Sequence, residues 1–213
     1  MAFSHDTSAG IDSTVPTKGA VPGWAGRVRG LLLNPGSQWQ QIARERGAPG
    51  RLFAGYLVPL SAIALLAMLI RCWLTTRLSV PGALLVVVLT CGFAMLGVCV
   101  VALIINSLAA SFGGARNQGR ALQVATYACT PLWLSCVFMP FPSVSLAAQL
   151  LGVVDHTYLL YLGLWVLMKS PRDRALGYAT TVVLCSILLG IVFTQVGAGL
   201  GETLHIGHFH AFG

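Results

Sequence analysis

The sequence predicts an all-α membrane protein with five transmembrane helices, its amino terminus cytosolic and its carboxy terminus outside. The first observation is composition: 56% of the residues are hydrophobic and 9% are charged, whereas a soluble domain carries about 25% charged residues. The second is a series of five apolar runs, each near the ~20 residues that a helix needs to cross a bilayer. The third is the placement of the basic residues, which concentrate on one side of the predicted spans.

The first 50 residues precede the apolar runs. Residues 1–22 are rich in Ser, Thr, Gly and Pro and lack an apolar block, which predicts a disordered cytosolic lead and not a signal peptide. Residues 23–50 predict two short amphipathic helices, the second starting at Asn34-Pro35, because Asn can cap a helix and Pro suits its first position. Such helices fit either the headgroup region of a bilayer or packing on the protein itself. Their candidate contact residues for a partner or lipid are Arg27, Arg29, Trp39 and Arg44.

Residues 51–200 form the predicted five-helix membrane domain. Its runs extend approximately over residues 52–74, 83–105, 121–139, 144–168 and 178–196. Runs this long and unbroken exclude the alternating pattern of a membrane β-barrel. A very short connection, Pro140 to Ser143, joins the third and fourth runs, so these two spans are predicted to form a tight antiparallel pair. Residues 201–213 then form a histidine-containing tail.

Basic residues set the predicted orientation. Of the 13 Lys and Arg residues, 11 precede the first span or lie in the second and fourth loops, whereas Arg71 and Arg77 lie at the first loop. Cytosolic loops of membrane proteins carry an excess of Lys and Arg. With five spans, the amino terminus is therefore predicted in the cytosol and the tail outside the cytoplasm.

The third run carries a polar stripe. Gln123, Thr126, Tyr127 and Thr130 follow the spacing of one helical face. Pro131 leaves the carbonyl of Tyr127 without its helical donor, and a Thr hydroxyl can supply a replacement within a membrane. The stripe predicts either a kinked helix whose polar face meets another helix or a wall that lines a substrate path.

Asp155 and His156 are adjacent polar residues within the fourth run. A charge at the centre of a membrane helix costs about 2.5–3.5 kcal/mol on insertion scales, so their position requires a reason. If the whole run is helical, Asp155 lies near its middle and shares a face with Tyr158. The pair then predicts a protonatable or cation-binding site facing the bundle, with Thr130 as the third-span residue best placed to approach it. If the helix is bent or begins later, near Val153, the pair is a polar cap at the outer headgroups.

Four stretches carry a family resemblance when taken together. They are RGLLLNPGSQWQQIARE, GYLVPL, GRALQVATYACTPLWL and LLYLGLWVLMKSPRDRALGYA, and the third contains a Tyr-Ala-x-Thr-Pro core at Tyr127, Ala128, Thr130 and Pro131. In this order and spacing, over residues 27–196, the chain resembles the bacterial branch of the Yip family of multi-span membrane proteins. The resemblance implies five membrane helices and a cytosolic amino terminus. Eukaryotic members are implied in vesicle traffic, where they bind small Rab-type GTPases and one another.

Other functional classes find little support in the sequence. The loops contain no nucleophile–base pair, phosphate-binding loop or pair of carboxylates, so neither an enzyme nor a cofactor site is predicted. The formal charge of +7 forms no dense basic stripe, which argues against nucleic acid as a partner. The six scattered cysteines are interpreted as packing residues. The terminal HIGHFH has Glu202 as its nearest carboxylate, and no metal site is assigned to it.

These observations lead to one functional hypothesis and one alternative. The hypothesis is a non-enzymatic adaptor or organiser in the bacterial cytoplasmic (inner) membrane, acting through contacts with the lipid bilayer and with a membrane or cytosolic protein. Association with a second copy of the chain is left open. Its predicted contact surface adds Tyr127 and Pro131 of the third span to the basic and aromatic residues named above. The alternative is a transporter or ion-conducting protein that uses Asp155, His156, Tyr158 and Thr130.

Overall fold

The structure is a computed structural model, and it describes residues 23–45, 52–75 and 80–203. In these ranges the regular structure is helical and contains no strand. The helices are α1 (Trp24–Leu33), α2 (Pro35–Arg44), α3 (Val58–Thr75, preceded by a π-helical segment, Phe53–Leu57), α4 (Val80–Leu108), α5 (Gln118–Ala128), α6 (Thr130–Ser135, followed by a 3-10 turn, Cys136–Phe138), α7 (Pro142–Leu167) and α8 (Arg172–Thr203). The predicted lead and the terminal histidines lie outside the described residues.

The five predicted spans are confirmed as helices that are long and apolar enough to cross a membrane. They extend over Ala54–Thr75, Gly82–Leu108, Gln118–Phe138, Pro142–Leu167 and Arg172–Gly197. The largest differences from the prediction are at the fifth helix, which begins six residues before Tyr178 and ends seven residues after Val196. Its first turn contains Asp173 between two arginines; these charges interrupt the apolar pattern but not the helix, and an acid suits the first turn.

The third span is the central helix of the bundle. Inside the protein, 61% of its most apolar window is buried, compared with 17% for the second and fifth spans. It packs between α4 and α7, while α8 lies against α4 and α7, and α3 against α4 and α6. The polar stripe of the third span is buried by these neighbours, with Thr126 and Thr130 fully enclosed. Large apolar side chains such as Leu66, Leu103 and Leu188 face outward, as expected for helices that contact lipid.

The two ends of the bundle differ in charge. At one end, here called the basic end, lie the connections that carry Arg116 and Lys169, and the first turn of α5 with Arg120. These connections are joined to each other, since the amide of Ala115 donates to the carbonyl of Met168 at 2.7 Å. At the opposite end, the predicted tight turn precedes Pro142, the first residue of α7, and Arg71 donates to the carbonyl of Met139 at 2.8 Å.

Helices α1 and α2 form a hairpin that packs on the membrane helices. The chain reverses at Asn34, whose amide donates to the carbonyl of Gly30 at 2.9 Å. Pro35 starts α2 as predicted, but the Asn34 side chain forms no cap. Of the two placements that the sequence allowed, the structure shows packing on the protein, with α2 lying along α7. This α1–α2 hairpin positions the candidate site.

Candidate functional site

Trp39 anchors the α1–α2 hairpin in the membrane domain. Its side chain is completely buried, and its ring lies edge-on to Tyr127 of α5 at 6.2 Å between centroids. On α7 it meets Gly163, where an added Cβ would lie 2.9 Å from the indole Cη2. A glycine is therefore required for the indole to approach this helix so closely.

Arg27 joins the two helices of the α1–α2 hairpin at the end opposite the turn. One guanidinium nitrogen donates to both carboxylate oxygens of Glu45 at 2.8 Å, and only 3% of the Arg27 surface is exposed. The guanidinium carbon also lies 5.4 Å from the ring centroid of Tyr127, within the range of a cation–π contact. The ion pair thus joins the start of α1 to the end of α2, over the aromatic residue that Trp39 also contacts.

A hydrogen-bonded relay lies beneath these aromatic rings. Thr130 donates its single hydroxyl proton to the carbonyl of Tyr127 at 2.6 Å, the carbonyl that Pro131 leaves without a helical donor. The hydroxyl of Tyr56 is 2.7 Å from the Thr130 oxygen and must be the donor in that bond. The Tyr56 ring also packs edge-on against Tyr127 at 4.8 Å. The replacement of the lost backbone bond by a threonine, expected from the sequence, is confirmed.

Arg120 holds the carboxyl end of α2 from the neighbouring helix. Its guanidinium donates to the carbonyls of Ala43 at 2.8 Å and Ile42 at 3.3 Å, and to the side-chain oxygen of Gln123 at 3.3 Å. The last carbonyls of a helix lack partners within that helix, and a cation there also suits the helix dipole. A residue of α5 therefore performs the capping of α2.

The side chains of Asp155 and His156 lie in different environments. Helix α7 begins at Pro142 and is continuous through both residues, so the alternative in which the helix starts near Val153 does not occur. His156 is buried, and its Nδ1 donates to the carbonyl of Ala128 at 2.8 Å. Asp155 is exposed and lies beside a groove of about 380 Å³ that Leu32 of α1 also lines. The two residues do not form one site.

The remaining candidates fall into a buried group and an exposed group. Pro131 is buried beside Thr130, whereas Arg29, Arg44 and Tyr158 are exposed. Thr130 is bonded to Tyr56 and Tyr127, not to Asp155. The structure thus unites Arg27, Trp39, Tyr127, Thr130 and Pro131 in one region and leaves Asp155 outside it.

Four residues of this region were missed by sequence reasoning: Glu45, Tyr56, Arg120 and Gly163. Gly163 carried a usable signal, because a glycine in an apolar span often marks a close approach between helices. Glu45 also carried a signal, since it is one of only 6 acidic residues in the chain and lies next to the predicted contact residue Arg44. Nothing in the local sequence points to Tyr56 or Arg120, whose partners lie more than 70 residues away.

Polar atoms remain unsatisfied between the α1–α2 hairpin and the bundle. Five buried side-chain atoms have no hydrogen-bond partner among the described residues: Arg27 Nη1, Gln38 Nε2 and Trp39 Nε1 in the hairpin, Thr126 Oγ1 in the third span, and Asn106 Oδ1 in α4. Each such atom costs about 1–3 kcal/mol relative to a satisfied one. The docking of the hairpin therefore depends on the specific contacts of Arg27, Trp39 and Arg120. No group of three potential metal ligands occurs in the part of the chain that the structure describes.

The chain matches a protein-family model. The family model described as the Yip1 domain matches residues 29–194, which includes the second half of α1, all of α2 and the five spans up to the last turns of α8. No curated protein and no solved structure matches the chain.

Proposed function

Because the chain belongs to the Yip family of multi-pass membrane proteins, we propose that it is a non-enzymatic membrane adaptor whose α1–α2 hairpin presents a contact surface for a protein partner. The observation that supports this proposal is that some side chains of the hairpin face the bundle whereas others face outward. Arg27 and Trp39 face inward and fix the hairpin to the bundle, whereas Arg29 and Arg44 face outward and have no acidic partner among the described residues. A rigidly mounted basic surface is suited to binding, because little ordering is needed when a partner arrives.

Orientation and compartment are part of this proposal. The basic end lies in the cytosol of a bacterial cell, and the protein resides in the cytoplasmic membrane, with its carboxy terminus on the other side. The support is the concentration of 11 of the 13 Lys and Arg residues on the loops and lead of one side. The partner is then a membrane or cytosolic protein that meets Arg29 and Arg44 at the cytosolic surface.

The residues first grouped as contacts divide into two roles. Arg27, Trp39, Tyr127 and Pro131 hold the hairpin and the kinked third span in place, and Arg29 and Arg44 make the contact. No observation favours the transport alternative. The Thr130 hydroxyl is already hydrogen-bonded to Tyr56 and to the carbonyl of Tyr127, and Asp155 is exposed outside that region.

Partner binding is tested by purifying the protein from native membranes in mild detergent and identifying co-purified proteins by quantitative mass spectrometry. A partner in near-equal amount is expected, and Arg29→Glu with Arg44→Glu should reduce its recovery at least about tenfold, since reversing charges at a contact costs several kcal/mol. The matched control is Arg116→Glu, which reverses an exposed charge at the same end but outside the hairpin. A protein that purifies alone, also after crosslinking in the membrane, contradicts the adaptor function, and so does full recovery with the double variant.

A further inference from the structure

The α1–α2 hairpin reaches about halfway along the membrane helices. The carboxyl end of α2 lies at the basic end, where Arg120 binds its carbonyls. Further along, Trp39 meets Gly163, and at the turn Leu32 lines the same groove as Asp155. Asp155 is twelve residues from the end of α7 at Leu167, which is about 18 Å of helix. The apolar core of a bilayer is about 30 Å thick, so the turn of the hairpin lies near mid-membrane.

The outward face of α2 is polar along this whole depth, whereas Leu32 and Leu33 at the end of α1 are exposed apolar residues. Asn34, Ser37, Gln41 and Arg44 follow the spacing i, i+3, i+7 and i+10, so they lie on one side of α2. All four are exposed, and Gln40 beside them is exposed as well. These five residues are here called the hairpin flank.

The hairpin flank is too polar to be in stable contact with lipid chains. Non-helical backbone and polar side chains at membrane depth are tolerated only where protein covers them or where they line a water-filled cavity. At the turn, the amides of Gly36 and Ser37 belong to the first turn of α2 and lack helical acceptors. Asp155, next to the turn, forms no hydrogen bond or ion pair with any described residue, and as an exposed carboxylate at mid-helix it also needs water.

We propose that the α1–α2 hairpin is re-entrant and that the hairpin flank lines a water-filled crevice, which opens at the basic end and reaches Asp155 near mid-membrane. The groove beside Asp155 is lined mainly by apolar residues, among them Leu134, Phe138 and Val144, so the water of the crevice ends at Asp155. Asp155 is therefore reached by small hydrophilic solutes from the basic end and not from the opposite end. This inference does not rest on the adaptor function.

The crevice is tested by thiol accessibility in sealed vesicles of known orientation. The six native cysteines are replaced, and single cysteines are introduced as Ser37→Cys, Gln41→Cys and Asp155→Cys, with Leu188→Cys as the control for a lipid-facing site. A charged, membrane-impermeant thiol reagent is applied to each side in turn. The three crevice sites should react from the side of the basic end at least about tenfold faster than Leu188→Cys, because only a hydrated thiol ionises readily.

Three results would overturn the crevice. The first is no reaction at Ser37→Cys and Asp155→Cys from the basic side; the second is reaction of Asp155→Cys from the opposite side only. The third is protection in native membranes that disappears in detergent, which would show that a partner protein covers the hairpin flank. Hydrogen exchange on the unmodified protein in lipid nanodiscs gives an answer that needs no variants. The amides of Gly36 and Ser37 should exchange rapidly while those of residues 184–192 stay protected, and equal protection would refute the crevice.

Discussion

Replacing Gly163 by alanine is the most direct perturbation of hairpin docking. The added Cβ would lie 2.9 Å from Trp39 Cη2, 3.0 Å from Cζ2 and 3.1 Å from Val124 Cγ1, whereas carbon atoms in contact prefer about 3.5–4.0 Å. The indole has no free side to move into, because it is completely buried. Either the α1–α2 hairpin or the third span must therefore shift.

The expected cost follows from the size of this overlap. Overpacking of a buried site destabilises a protein by about 1–3 kcal/mol, which exceeds the roughly 0.5–1 kcal/mol that alanine gains over glycine in a helix. The midpoint of thermal unfolding should fall by a few degrees, since 1 kcal/mol corresponds to about 2–4 °C for a chain of this size. Unfolding in detergent can be followed by tryptophan fluorescence.

Two further variants make the Gly163 result interpretable. Gly92→Ala serves as the matched control, because a Cβ there meets nothing within 4 Å, and it should be neutral or stabilising. Trp39→Phe removes the clashing ring, so Gly163→Ala should cost less in that background than in the wild type. A Gly163→Ala protein that unfolds at or above the wild-type temperature would refute the docked position of Trp39.

Two other predictions concern the polar contacts of the same region, with the free energy of unfolding as the readout. Arg27→Lys and Glu45→Gln should each destabilise the protein, because lysine cannot reproduce the planar guanidinium contacts and glutamine removes the charge of the partner. Their double-mutant cycle should give a coupling of about 0.5–3 kcal/mol. Strictly additive effects would contradict the ion pair. Thr130→Val should cost about 1–3 kcal/mol by leaving the Tyr56 hydroxyl and the Tyr127 carbonyl unsatisfied. Thr130→Ser keeps the hydroxyl and should cost less than the valine variant, so equal losses would argue against the relay.

The number and placement of the spans were predictable because each is set by local hydropathy. The same local signal placed the start of the fifth span too late, since Arg172, Asp173 and Arg174 are polar yet helical. The local prediction for Pro131 and Thr130 also succeeded, because the missing amide and its replacement are three or four residues apart.

The docking of the hairpin was not predictable from the same sequence. A face with Trp39 and Ile42 suits a lipid interface as well as a protein surface, and the choice depends on Gly163 and Arg120, which lie far along the chain. The exposure of Asp155 depends on how α7 is rotated against the third span. This rotation cannot be inferred from the sequence, because a membrane helix has apolar residues on nearly all of its sides.

Capping of α2 by a residue of the third span has a consequence for biogenesis. The α1–α2 hairpin leaves the ribosome before the spans that hold it, since Arg120 follows Ala43 by 77 residues and Gly163 follows Trp39 by roughly 120 residues. At about 5–20 residues per second, the latter delay is on the order of 6–24 s. During that time neither Arg120 nor the surface around Gly163 is available to the nascent hairpin, so chaperones or a partner can bind it. The docking of the hairpin is then a late step, completed only when Gly163 of the fourth span is in place.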